Sequence, residues 1–136
     1  MGISAYAVTR MADGTDKRVE DLSVGDIVRN AMSGGGVAVS KHWQGPAVGM
    51  FRIAADNDIM LDLTADQKVL TAQGMLPAGE IKPGMVLQRI DGQNTCNEAS
   101  PLMGDFMVYD IALERDNASG TLTLSANGFI VGDMYA

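Results

Sequence analysis

Residues 13–28 read DGTDKRVEDLSVGDIV, and residues 73–87 read QGMLPAGEIKPGMVL. Aligned on their last glycines, Gly25 and Gly84, the two stretches follow one scheme. Each has an x-Gly turn, an acidic residue followed by an aliphatic one, two spacers, a glycine and the start of a strand. Similar turn chemistry alone would give part of this match. The shared order of features favours an internal duplication and predicts two β subdomains related by a pseudo-twofold axis.

Outside these stretches, short runs suited to strands alternate with turn residues. In one run, Ile59, Leu61 and Leu63 fall on the same face of the predicted strand. Helical signals are limited to single turns near residues 19–22 and 78–81. The pattern predicts an all-β chain with strands at residues 5–10, 26–30, 37–41, 50–54, 59–64, 68–71, 85–90, 106–113, 121–125 and 129–131.

Composition narrows the class of protein. The 136 residues are 46% apolar and 20% charged, which is typical of one globular domain, and we predict a single domain over residues 1–136. The net charge of −7 and the lack of a long Lys/Arg run argue against nucleic-acid or anionic membrane partners. Residues 1–14 lack the basic and apolar regions of a secretion signal. The single cysteine, Cys96, permits no intrachain disulfide.

Four stretches carry a more specific signal. They are MADGTDKRVEDLSVGDIV at 11–28, LDLTADQKVLTAQGMLPAGEIKPGMVL at 61–87, VYDIALE at 108–114 and LTLSANGFIVGD at 122–133. In this order they resemble the sequence blocks of the Hint domains, the shared fold of inteins and of the autoprocessing part of hedgehog proteins. The resemblance implies a flattened, horseshoe-like β fold with both splice junctions at its centre. It also implies a minimal domain, because the loop between the second and third blocks is too short for an endonuclease insertion.

The resemblance also places the catalytic positions of the family on this chain. The N-terminal Cys or Ser nucleophile falls on Gly2, or on Met1 after a one-residue shift. In the second block, the family's Thr-x-x-His motif falls on Thr64, which is retained, and on Gln67, which replaces the histidine. Because Gln cannot carry a proton at neutral pH as His can, this replacement weakens any acid catalysis there.

The closing block departs further from the family. Its first histidine falls on Leu122, its penultimate histidine on Gly132, and its terminal asparagine on Asp133. The downstream Cys, Ser or Thr falls on Met134. Since nucleophiles, histidines and asparagine are all replaced together, the resemblance implies a fold whose splicing chemistry is lost.

The leading hypothesis is therefore a catalytically silent Hint-like domain that acts as a structural or interaction module. Its partner would be another protein or the flanking segments of a larger protein. By association with the family, we expect a phage or mobile-element origin and a cytoplasmic or virion-associated location. Whether the chain is an enzyme stays open, because slow residual autoproteolysis between Asp133 and Met134 is an alternative. A β-barrel module unrelated to the Hint family is a third reading.

Other candidate chemistry is weak, and we expect no metal or cofactor. His42 has no evident nucleophile, orienting partner or further metal ligands at a suitable spacing, so we place it with Trp43 at a strand end or in a loop. Trp43 is a candidate anchor for a partner. The polar stretch 91–100 predicts a loop, and residues 33–36 predict a hairpin tip. An acidic set lacks the glycine and bidentate glutamate of a calcium loop; it comprises Asp56, Asp58, Asp62 and Asp66, of which Asp62 should face solvent.

Overall fold

The computed structural model describes residues 1–56, 59–115 and 122–136. Asp58 and the first residue of the strand predicted at 121–125 lie outside these ranges. The described chain is built from strands and short 3-10 turns, as predicted. The strands are β1 (Ile3–Ser4), β2 (Val8–Arg10), β3 (Asp16–Arg18), β4 (Ile27–Arg29), β5 (Gly36–Ala55), β6 (Ile59–Leu63), β7 (Lys68–Thr71), β8 (Gly74–Pro77), β9 (Val86–Arg89), β10 (Gly92–Leu113), β11 (Thr123–Ala126) and β12 (Phe129–Gly132).

An internal repeat organises these strands. The β2–β3 hairpin is followed by the 3-10 turn Val19–Asp21, then by β4, which forms a hairpin with the start of β5. In the second copy, the β7–β8 hairpin is followed by the 3-10 turn Ala78–Glu80, then by β9, which forms a hairpin with the start of β10. The two 3-10 turns lie where the sequence predicts single helical turns.

Backbone hydrogen bonds repeat along with the elements. Gly25 N donates to Val39 O at 2.9 Å, and Gly84 N donates to Cys96 O at 2.8 Å. Both glycines adopt positive φ, +94° and +97°, a conformation in which residues with a Cβ are strained. This equivalence confirms the duplication predicted from the two sequence stretches. The equivalent strands β5 and β10 pair antiparallel with each other, as a twofold axis between them requires.

The lengths of β5 and β10 correct the sequence prediction. The separate strands predicted at 37–41 and 50–54 are parts of the single strand β5, so His42 and Trp43 lie within a strand. The loop predicted at 91–100 is also wrong, because β10 begins at Gly92 and includes the buried Cys96. Pairing with β9 and then with β5 satisfies the backbone of this polar stretch, while most of its side chains face solvent.

Three short elements were not predicted: β1, β3 and β8, which have two to four residues each. By contrast, the hairpin tip at 33–36 is confirmed, because Arg29 pairs with Gly36 across it.

The core is a cluster of buried residues from both repeats, with Leu61 and Leu63 buried on the face of β6 that the alternation predicts. Asp62, on the other face, is half-buried rather than solvated, and accepts hydrogen bonds from both Arg52 Nε and Nη2 at 2.7 and 2.9 Å.

The two ends of the chain approach the same segment of β10. At the N-terminus, Ile3 pairs with Tyr109 of β10 and with Leu63 of β6. At the C-terminus, Met134 N donates to Ile111 O at 2.7 Å, just beyond β12. Residues 108–113 therefore lie between both ends. In the described ranges, no helix has the length and apolarity needed to cross a membrane.

Candidate functional site

The N-terminal side of the site centres on Gly2 and Thr64. Gly2 N donates to Thr64 Oγ1 at 2.8 Å, and Thr64 N donates to Gly2 O at 2.9 Å. Thr64 thus contacts the backbone on both sides of Gly2. Thr64 Oγ1 also donates to Asp66 Oδ1 at 2.7 Å, and this hydrogen bond lowers the pKa of the Asp66 carboxyl.

The position of Gly2 leaves no room for a side chain. A Cβ atom there would lie 2.8 Å from both Cβ and Cγ2 of Val108, and 3.3 Å from Tyr109 O. A distance below 3.0 Å forces a neighbour to move, and Val108 is a buried, branched residue on a long strand. A nucleophilic side chain would therefore displace β10 or the N-terminal strand.

Gln67 links the same loop to the C-terminal end of the chain. Its side chain is buried, and Nε2 donates to Gly132 O at 2.8 Å. Its Oε1 atom has no hydrogen-bond partner among the described residues. Thr64 and Gln67 are joined by a backbone hydrogen bond of 3.1 Å, so one turn between β6 and β7 contacts both ends of the chain. The residue at the position of the family's second-block histidine thus contacts the C-terminal junction rather than the N-terminal one.

Gly132 and Asp133 form the C-terminal side. A Cβ on Gly132 would overlap the methyl group of Ala136 and would lie 3.0 Å from Met75 Cε. The Asp133 side chain is 0% exposed. Its Oδ2 accepts a hydrogen bond from Leu113 N at 2.9 Å.

The second carboxylate oxygen of Asp133 is also occupied. Oδ1 accepts from the guanidinium of Arg115 and from Tyr135 N, the latter at 3.2 Å. Leu122 contributes only its backbone, since its carbonyl accepts from Asp133 N at 3.1 Å while its side chain is buried. With three donors on its two oxygens, Asp133 anchors the end of β10 and the residues that follow β12.

The residues after Asp133 are held in place. Ala136 N donates to Asp133 O at 3.0 Å and closes a turn. The Tyr135 hydroxyl accepts from Lys41 Nζ at 2.9 Å, which raises the pKa of Lys41. The Tyr135 ring is also close to two cations, 5.7 Å from Lys41 Nζ and 5.3 Å from Arg115 Cζ, although about half of the residue is exposed. Backbone and side-chain contacts thus both hold the residues after Asp133.

Asp110 is a site residue that the sequence analysis missed. It lies on β10 between the two ends and is only 8% exposed. Burial raises the pKa of its carboxyl to about 6; the nearby terminal amine opposes this rise, and the charges of Asp133 and Asp66 add to it. The sequence did contain a signal for this residue, because Asp110 interrupts the apolar run 108–113. Burying a carboxylate is costly, so a carboxyl in a buried strand is a candidate functional group. At a pKa of about 6, this carboxyl gains or loses its proton in mildly acidic solution.

The structure therefore brings together Gly2, Thr64, Gln67, Gly132 and Asp133, with Leu122 contributing backbone only. His42 pairs with Ile111 of β10, but its side chain makes a different contact: Nε2 is 3.0 Å from Val19 O, and the ring is 5.5 Å from that of Tyr109. In the residues with described positions, no group of three or more His, Cys, Asp and Glu could hold a metal ion.

Comparison with known proteins identifies the fold. No protein-family model and no curated protein matches the sequence. Among solved structures, the gp41-1 intein is similar with a TM-score of 0.79 and 16% identity, over 96% of each chain. A DnaB intein from Synechocystis sp. PCC 6803 has a TM-score of 0.77 and 17% identity, over 97% of each chain. The bacterial intein-like domain from Clostridium thermocellum has a TM-score of 0.79 and 15% identity, over 97% of each chain.

These similarities confirm the predicted fold. The chain has the all-β Hint fold of inteins, and the alignment covers nearly all of it. At identities of this level, the likeness concerns the fold alone.

Proposed function

We propose that this chain is a catalytically silent, intein-like domain that acts as a structural or interaction module. The observation that carries the proposal is the filling of both junction positions. Val108 occupies the space of a side chain at Gly2, and Ala136 and Met75 occupy the space of one at Gly132. Splicing needs a nucleophile at the first of these positions to attack the preceding carbonyl.

The contacts of Asp133 support the same proposal. A residue that releases the downstream segment must turn its side chain back onto its own carbonyl carbon. Here both carboxylate oxygens accept hydrogen bonds from groups on other parts of the chain, including Leu113 N and Arg115. Reaching the carbonyl would break these bonds and leave the buried amide of Leu113 without an acceptor.

Exposed apolar side chains are available for a protein partner. Val48 and Met103 are 89% and 88% exposed, and they flank an irregularity in the β5–β10 ladder. Gly49 and Gly104 adopt positive φ at this point. Trp43, about half exposed on β5, is the candidate anchor. The proposal includes a partner, which is another protein or the flanking segments of a larger protein. It also includes a cytoplasmic or virion-associated location and a phage or mobile-element origin.

The alternative function is slow cleavage between Asp133 and Met134. In that reaction a carboxylate oxygen of Asp133 forms a bond to its own carbonyl carbon, the bond to Met134 N breaks, and that nitrogen takes up a proton. Water then opens the resulting cyclic anhydride to restore the aspartate. Asp110, whose pKa is raised to about 6 by burial, is the acid in this region that favours the alternative. The occupied oxygens of Asp133 argue against it.

The two functions are separated by placing the chain between folded flanking domains and following intact mass over days, with and without thiol. We expect the natural sequence to remain intact. A cleaved or spliced product would support the alternative, and its loss in Asp110→Asn would assign the proton to Asp110. A Gly132→His/Asp133→Asn double variant should also stay intact, because a side chain at Gly132 would overlap Ala136 and lie close to Met75 Cε. Cleavage by this variant would contradict the filled position at Gly132 as a cause of the lost chemistry.

A further inference from the structure

A cavity of about 300 Å³ lies away from the junction site, between the β2–β3 hairpin, β4, the end of β9 and the β11–β12 turn. Three arginines line it, Arg10, Arg29 and Arg89. The chain has only ten Lys and Arg residues and a net charge of −7. Convergence of half of its six arginines on one cavity is therefore a local reversal of the overall charge.

Two of these arginines are already paired. Arg10 Nε donates to Asp16 Oδ1 at 2.6 Å, and Arg89 Nε donates to Asp91 Oδ1 at 3.2 Å. Both aspartates also line the cavity. Each pair is formally neutral, so the cavity keeps the charge of Arg29.

Arg29 has no carboxylate partner within the described ranges. Its Nε atom is buried and makes no hydrogen bond to any described residue, and no described carboxylate lies within 4.0 Å of its guanidinium. Arg29 as a whole is only partly buried, and it lines the cavity. Because no described carboxylate neutralises its guanidinium, this charge favours binding of an anion in the cavity.

Arg89 is held rigidly at the wall. Its side chain is 6% exposed, Nη1 donates to Asn127 O at 3.0 Å, and Cζ lies 4.8 Å from the centre of the Phe129 ring. The guanidinium lies so close over Gly128 that a Cβ there would overlap it. Because its Nε and Nη1 donors are already used, Arg89 fixes the shape of the wall, and the guanidinium of Arg29 is the group that suits an oxyanion.

We propose that this arginine cavity binds a small anionic molecule that carries a carboxylate or phosphate group. Arg29 is the principal ligand and supplies the net positive charge, and the Arg10–Asp16 and Arg89–Asp91 pairs form the polar wall around it. The volume is at the lower end of the range for small-molecule sites. The proposal is independent of the junction chemistry, and a chain that cleaves itself would leave it standing.

The test is calorimetric titration of the full chain with inorganic phosphate and, separately, succinate. We expect saturable binding of at least one anion, weaker at higher salt concentration. Phosphate as the tighter ligand would assign a phosphate-bearing molecule, and succinate as the tighter ligand a carboxylate-bearing one. Arg29→Gln should weaken binding about 10- to 100-fold, as expected for a lost charged hydrogen bond.

The matched control is Arg18→Gln, because Arg18 is an exposed arginine that pairs with Glu20 outside the cavity. This variant should leave the affinity unchanged. The proposal is overturned if neither anion binds saturably at concentrations up to about 10 mM, or if Arg29→Gln weakens binding no more than the control. Should Arg29→Gln fail to fold, Arg10→Gln on the outer wall is titrated instead, and an affinity equal to the control's would also overturn the proposal.

Discussion

Removing the carboxylate of Asp133 is the sharpest test of its role as an anchor. In Asp133→Ala, three donors lose their acceptor: Leu113 N, Tyr135 N and the guanidinium of Arg115. The amide of Leu113 is buried, and an unsatisfied buried donor costs about 1–3 kcal/mol. The Arg115 side chain is 38% exposed and can be rehydrated, so its ion pair contributes about 1 kcal/mol or less.

These terms predict that Asp133→Ala lowers the free energy of unfolding by about 1–4 kcal/mol. Asp133→Asn should cost less, because its amide oxygen can still accept from Leu113 N. The control is Asp62→Ala, which removes another arginine-bound carboxylate with a side chain that is 25% exposed; it should cost about 1 kcal/mol or less. Urea unfolding followed by circular dichroism gives all three values. An Asp133→Ala variant as stable as the Asp62→Ala control would refute the reasoning.

Three further predictions concern the junction and the repeat. Because burial raises the pKa of Asp110 to about 6, ionisation of this carboxyl opposes folding as the pH rises from the pKa of the unfolded state through about 6. Asp110→Asn should therefore stabilise the fold by about 1–2 kcal/mol near pH 8 and by almost nothing near pH 3. Equal effects at both pH values in urea unfolding would count against this prediction. Gly2→Ala should destabilise the fold by about 1–3 kcal/mol, because the added Cβ would press against Val108. Much of that loss should be relieved in a Gly2→Ala/Val108→Ala double variant. If the changes in unfolding free energy of the two single variants simply add up in the double variant, the predicted contact with Val108 would be refuted. Gly25→Ala and Gly84→Ala should each lower the unfolding free energy by about 1–2 kcal/mol, since both glycines have positive φ, and costs that differ widely would contradict their equivalence.

The sequence could predict the parts of the fold that local chemistry determines. The turn glycines Gly25 and Gly84 mark equivalent points of the two repeats because each needs a positive φ that other residues adopt at a cost. The full lengths of β5 and β10 could not be predicted, because their polar halves are strands only through pairing with each other and with β9. Cys96 illustrates this, since a polar neighbourhood concealed a buried strand position.

Part of the candidate site could be predicted from the order of the four stretches that resemble the Hint blocks. That order placed Gly2, Thr64, Gln67 and Asp133 at one site, and the structure brings them together through direct hydrogen bonds or shared neighbours. The contacts of Arg115 with Asp133 and of Gln67 with Gly132 were not predictable, because both join distant parts of the chain. The arginine cavity could not be predicted from the sequence either, since its three arginines are far apart in the chain.

Intact mass of the natural sequence held between two folded flanking domains tests the central claim most directly. The filled junction positions at Gly2 and Gly132 predict a single species at the full mass of the fusion after days at neutral pH, with or without added thiol. A ligated product of the flanking domains, or a fragment ending at Asp133, would contradict the account.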